Sequence, residues 1–177
     1  MNRYETLIQR IADGEKILID GATGTEVERR GVPKVANAWN SGGALTAPDT
    51  LRQIHEDYIR HGAEIIISNT FATGRNVARD AGMEEQFEFL NRRGVELATE
   101  AREHMQTPNV LVAGGISYWS FTGNPPSLEE LHANTSEQAA IMAAAGSELL
   151  MLEMMVGIER MMVTLDAAQT SGLPVWV

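Results

Sequence analysis

The sequence predicts an α/β fold, a (β/α)8 TIM barrel present here as its first five strands or so, and three observations predict it. First, short apolar runs rich in Ile, Val and Leu alternate with longer amphipathic stretches, the pattern of strands covered on both faces by helices. Second, a glycine recurs where a helix gives way to the next apolar run, in Gly62-Ala63-Glu64-Ile65, Gly146-Ser147-Glu148-Leu149 and Gly172-Leu173-Pro174-Val175. Glycine takes the left-handed turn after a helix at least cost. Third, every complete apolar run ends on a polar or Gly-rich site: Asp20-Gly21, Asn69-Thr70, Gly114-Gly115-Ile116-Ser117 and Glu153. An open sheet gathers its functional ends mainly at one switch point, whereas every strand of a barrel contributes to the site. A full barrel takes about 250 residues, so 177 residues make an incomplete one. Residues 1–177 are expected to form a single domain, the N-terminal part of a longer protein.

The elements follow in order. Strands are predicted near 16–20, 64–70, 109–116, 148–154 and from 174 onward. A helix near 47–61 is expected to bury Leu51, Ile54, His55, Tyr58 and Ile59, with Thr46 and Asp49 as its capping box. A long helix near 84–105 carries Phe87, Leu90, Leu97, Ala98, Ala101 and Met105 on one face. A third spans about 128–145, capped by Ser127 with Glu130, and a fourth near 157–170 is expected to bury Ile158, Met161, Met162 and Leu165. The methionines between 151 and 162 read as core filling. The stretch from Ser117 to Pro126, with Tyr118, Trp119 and Phe121, reads as a loop that either folds over a ligand or packs on its own barrel.

Composition narrows the function. Fourteen basic residues against 24 acidic ones leave a formal charge of −10, which argues against nucleic acid and anionic membrane as partners. No apolar run approaches the roughly 20 residues of a membrane span, and the polar N-terminus has no secretory pattern. There is no cysteine, hence no disulfide or thiolate ligand, which suits a cytoplasmic protein.

The predicted strand ends bring Asp20 and Glu153 to one pocket. Paired carboxylates in a cleft can bind an ammonium or a metal, or act as acid and base. The neighbouring Gly21-Ala22-Thr23-Gly24 turn offers backbone N–H groups to an anion. An amino acid would meet both. Taken alone, Asp20 is equally a candidate N-cap for the short helix that follows. Glu153, inside Leu149-Leu150-Met151-Leu152-Glu153-Met154-Met155, is harder to explain without a function, because a buried carboxylate is costly unless paired. Asn69 and Thr70 either orient a ligand or satisfy their turn. Gly114 and Gly115 allow a close approach, by a ligand or by the neighbouring strand. His55, His61, His104 and His132 show no metal-ligand spacing and read as structural or surface residues.

These residues resemble the homocysteine S-methyltransferase family. The resemblance is carried by Leu18-Ile19-Asp20-Gly21-Ala22-Thr23-Gly24-Thr25, Trp39-Asn40-Ser41-Gly42-Gly43, Gly62 to Thr73, Val112-Ala113-Gly114-Gly115-Ile116-Ser117 and Leu150-Met151-Leu152-Glu153, in order and in register. It implies a barrel enzyme that moves a methyl group to the sulfur of homocysteine to give methionine. The implied donors are S-methylmethionine, S-adenosylmethionine, betaine or methyltetrahydrofolate, and the implied cofactor is zinc, which holds the thiolate. By position, Asp20 and Glu153 would hold the ammonium, Gly21 would contact the carboxylate, and Asn69 and Thr70 would shape the pocket floor. The family binds zinc through three cysteines, one after strand six and an adjacent pair after strand eight. This chain has none, so the resemblance assigns it the amino-acid half of the site, no metal ligand, and no activity alone. Two other readings stand beside this one: a partial-barrel binding or assembly module that self-associates to cover its open edges, and a zinc-independent barrel lyase using Asp20 and Glu153.

Overall fold

The computed structural model describes residues 1–177 as a parallel sheet with helices packed against it. The strands are β1 (Ile65–Ile67), β2 (Leu111–Ile116), β3 (Leu149–Leu152) and β4 (Val175–Trp176), hydrogen-bonded in that order and all parallel. The helices are α1 (Arg3–Ala12), α2 (Thr23–Arg29), α3 (Gly43–Thr46), α4 (Pro48–Arg60), α5 (Arg75–Asp80), α6 (Phe87–His104), α7 (Leu128–Ala144) and α8 (Ile158–Gln169). No helix is long and apolar enough to cross a membrane.

The two-residue period of the strands sorts their side chains. Ile66, Val112, Ile116, Leu150 and Leu152 face the helices, where they pack with Ile59, Val95, Ala98, Ala139, Met142 and Ala168. Ile65, Leu111, Ala113 and Leu149 face the other way and are covered by Leu7 of α1. That second face continues toward the carboxyl ends through Ile67, Met151 and Glu153, which line an open cavity.

Four expectations need correction. The segment 16–20 is no buried strand: it joins β1 through a single bridge, Ile19 to Ile65, and leaves Leu18 54% and Ile19 45% exposed. It has a hydrogen-bonding neighbour on one side only, so its apolar side chains have little to pack against. Thr46 does not cap α4. It is the last residue of α3, its hydroxyl donates to the Gly42 carbonyl, and α4 starts on Pro48 at its first position, where a missing N–H costs nothing. The Ser127–Glu130 capping box of α7 does form. Helix α8 meets its expectation only in part: Leu165 packs on the core, but the fully buried positions are Thr164, Ala167 and Ala168, and Ile158 is left 78% exposed. Small residues win that interface because they let α8 approach α7 closely. The methionines therefore split: Met155 packs on the core, while Met154 and Met162 are exposed.

Candidate active site at the carboxyl ends of the strands

A cavity of about 1250 Å³ opens at the carboxyl ends of β1 and β3 and of the segment ending at Asp20. Asp20, Gly21, Asn69 and Glu153 all line it; Thr70 does not. Four predicted site residues thus converge on one space from chain positions up to 133 residues apart, and the fifth lies beneath it.

Asp20 does not cap α2, whose N-cap is Ala22. Its Oδ2 accepts a hydrogen bond from the Ile67 N–H at 2.8 Å, while Oδ1 is buried with no partner. Burial pushes its carboxyl up to about 7; the Ile67 N–H partly offsets this, and the Glu153 charge adds to it. Burial likewise raises Glu153 to about 7. The Glu153 N–H donates to the Ile116 carbonyl at 2.8 Å, and its carboxylate lies over Gly115, close enough that a Cβ there would collide with Oε1. Two carboxyls aimed at one cavity, one with an unpartnered oxygen, form a receptor for a cation that can donate several hydrogen bonds.

Asn69 donates from Nδ2 to the Asn40 carbonyl at 3.0 Å, and Asn40 donates to the Gly24 carbonyl at 2.6 Å. These bonds tie the Gly-rich turn to the loop after β1. Asn40 Oδ1 is a second buried acceptor without a partner, and Asn40 lines the same cavity. Sequence reasoning did not single it out; the only signal was its place in the Trp39–Gly43 stretch of the resemblance.

Part of the lining is aromatic. Trp39 and Phe71 meet edge to face, 6.2 Å between centroids at 87°. Trp119 and Phe121 of the 117–126 loop also line the cavity, while Tyr118 of that loop packs inward and accepts the Gly157 N–H at 2.6 Å. The loop therefore packs on its own fold through Tyr118 and lends Trp119 and Phe121 to the cavity wall. Three of the four non-glycine residues with positive φ, namely Asn37, Trp39 and Met154, line this cavity. Such backbone is costly and persists where the surroundings hold it.

The histidines lie elsewhere. His55 is fully buried in α4 with neither ring nitrogen partnered, and burial lowers it to about 4. The zinc implied by the resemblance does not fit the donors of this chain. It has no cysteine, and no three His, Asp or Glu side chains gather as a ligand set, whereas zinc sites take at least three protein ligands.

Fold and site together define a parallel α/β protein with a cavity at its strand ends. The homocysteine S-methyltransferase family model matches residues 17–177, and the chain belongs to that family. It is 25% identical over 175 residues to bovine betaine–homocysteine S-methyltransferase 1, covering 98% of this chain and 43% of the bovine protein. It is 31% identical over 173 residues to maize homocysteine S-methyltransferase 2, covering 84% of this chain and 51% of the maize one. The metallated crystal structure of the Escherichia coli homocysteine methyltransferase MmuM superposes with a TM-score of 0.81 at 27% identity, over 99% of this chain and 65% of that one. The chain thus spans about half the length of the curated relatives it matches.

Proposed function

We propose that this chain forms the amino-acid-binding part of a homocysteine S-methyltransferase built as a (β/α)8 barrel. The observation that carries the reading is the unpartnered, buried Oδ1 of Asp20 in the cavity that Glu153 also faces. The homocysteine ammonium supplies the missing donors: it bonds Asp20 Oδ1 and Glu153, and both carboxyls ionise as it binds. The Gly21 backbone receives the carboxylate, and Asn69 holds that turn in place through Asn40. The thiol then extends into the cavity.

In the reaction a new S–CH3 bond forms as the donor's bond to that methyl breaks. The donor leaves with the electron pair, and the thiolate becomes a neutral thioether. This chain's residues hold and orient the amino acid for that step. The zinc that would activate the thiolate in the family has no ligands among them. The aromatic wall of Trp39, Phe71, Trp119 and Phe121 suits a cationic methyl donor, a quaternary ammonium or a sulfonium, since ring faces attract desolvated cations by about 0.5–2 kcal/mol each. Betaine, in the bovine relative's name, is of that chemistry.

Calorimetric titration with L-homocysteine tests the reading. Glu153→Ala is expected to weaken binding by about 2–5 kcal/mol, because it leaves the ammonium short of a charged partner in a cleft. Unchanged affinity in that variant would sink it. The assembly-module reading predicts instead a discrete oligomer with no homocysteine affinity. The lyase reading predicts a cleavage activity that survives chelation.

A further inference from the structure

We propose that Gly94, Thr70 and Gly115 are positioning residues that form a buried stack beneath the cavity and hold the Glu153 carboxylate over the backbone of β2, facing Asp20. The inference rests on the reading of the cavity as an amino-acid site and assigns residues to a task within it.

Thr70 acts through Gly115, not on the ligand. It is fully buried and outside the cavity wall. Its Oγ1 lies 2.8 Å from the Gly115 carbonyl, to which it donates, and accepts the Gly115 N–H at 3.1 Å. Ser68 Oγ stands 2.8 Å away on the remaining side. A hydroxyl has one proton and two lone pairs, so all its capacity is used within the protein. One side chain thereby clamps both polar groups of one residue near the carboxyl end of β2.

Gly115 is the surface on which Glu153 lies. A Cβ there would collide with Glu153 Oε1, and would also sit 3.0 Å from Ile67 Cγ2 and 3.4 Å from the Ser68 carbonyl. The β1 backbone cannot retreat, so Glu153 is the group that would move. Gly94 completes the stack from the helix side: a Cβ on it would come within 2.8 Å of Thr70 Cγ2. Glycine inside a helix costs about 1 kcal/mol relative to alanine, and the close approach of Thr70 accounts for it here. The stack thus runs from α6 through the loop after β1 to β2 and ends on the carboxylate.

The test uses the 177-residue chain with Thr70→Val, Thr70→Ser and Gly115→Ala. Two readouts are taken: the carboxyl titration of Glu153 by 13C NMR without ligand, and the affinities for L-homocysteine and for 4-mercaptobutyrate, which lacks the ammonium. Thr70→Val, losing its hydrogen bonds to both polar groups of Gly115, is expected to weaken homocysteine roughly tenfold. 4-Mercaptobutyrate affinity stays constant, and Thr70→Ser restores the loss. Gly115→Ala shows a larger loss of the same selective kind. In both damaging variants the Glu153 midpoint falls from about 7 toward the ordinary carboxyl range as the group swings into the open cavity. Equal losses for both ligands, or an unmoved Glu153 titration in folded Thr70→Val, would overturn the proposal. If Gly115→Ala does not fold, the Thr70 pair decides. If the native chain does not distinguish the two thiols, the functional reading falls, while the ligand-free titration still decides the positioning.

Discussion

The two carboxylates of the cavity arrive on very different supports. Glu153 directly follows β3, which is hydrogen-bonded to β2 on one side and β4 on the other and has Leu149 and Leu150 fully buried. Asp20 ends a segment held to β1 by one bridge, with Leu18 and Ile19 exposed. Yet both carboxyls are pushed to about 7, mainly by burial. The burial of a functional group is therefore set by the cavity it enters, not by the strength of the strand that delivers it. What differs is the means of holding. Glu153 is fixed by the packed backbone beneath it, and Asp20 by one side-chain bond to the Ile67 N–H.

That contrast can be broken most strongly in the core. Leu150→Ala is expected to destabilise the chain by about 2–5 kcal/mol, as for other fully buried leucines, whereas Leu18→Ala should cost about 0.5 kcal/mol or less. Denaturant midpoints measured side by side check this, and equal costs would mean that the 16–20 segment is as well packed as β3. Next in size is Asp20→Asn, which removes the charge but keeps the bond to Ile67. It is expected to weaken homocysteine by about 1–3 kcal/mol, less than Glu153→Ala, by calorimetry.

The pH dependence sharpens the comparison further. Both carboxyls titrate near 7 in the folded chain and lower when unfolded. Between about pH 4 and 7 the folded state therefore binds more protons, so these two groups make stability fall as pH rises through that window. Above it their full cost is present; below the unfolded values it is absent. Homocysteine affinity runs the other way, rising from pH 5 to 8 as the carboxyls ionise. Asp20→Asn should remove about one group's share of both slopes. Denaturation and calorimetry across that range would show it, and unchanged slopes would refute the assignment. The smallest effect is expected for zinc: without a three-ligand set, added zinc or a chelator should leave the melting temperature of this chain unchanged.

Much of this was legible in the residues. The helix–Gly–strand punctuation placed β1, β3 and β4, the Ser127–Glu130 box placed the start of α7, and the cost of Glu153 within an apolar run singled out a carboxylate that does line the cavity. These are local properties, set by a chain's own neighbours, and a periodic pattern reports them directly. Whether Asp20 caps α2 or enters the cavity was not local. It depended on the Ile67 N–H, 47 positions away. Thr70 could be placed at a strand end but not assigned to the wall or the layer below, because its partner Gly115 comes from another strand. Helix α8 presents several apolar faces, and only its packing against α7 chose the one with Thr164, Ala167 and Ala168. The sequence by itself determined the order of strands and helices and which carboxylates would reach the strand ends. Only the tertiary structure decided which polar atoms are left unpartnered in the cavity, because hydrogen-bond satisfaction is settled between residues that are distant in the chain and adjacent in space.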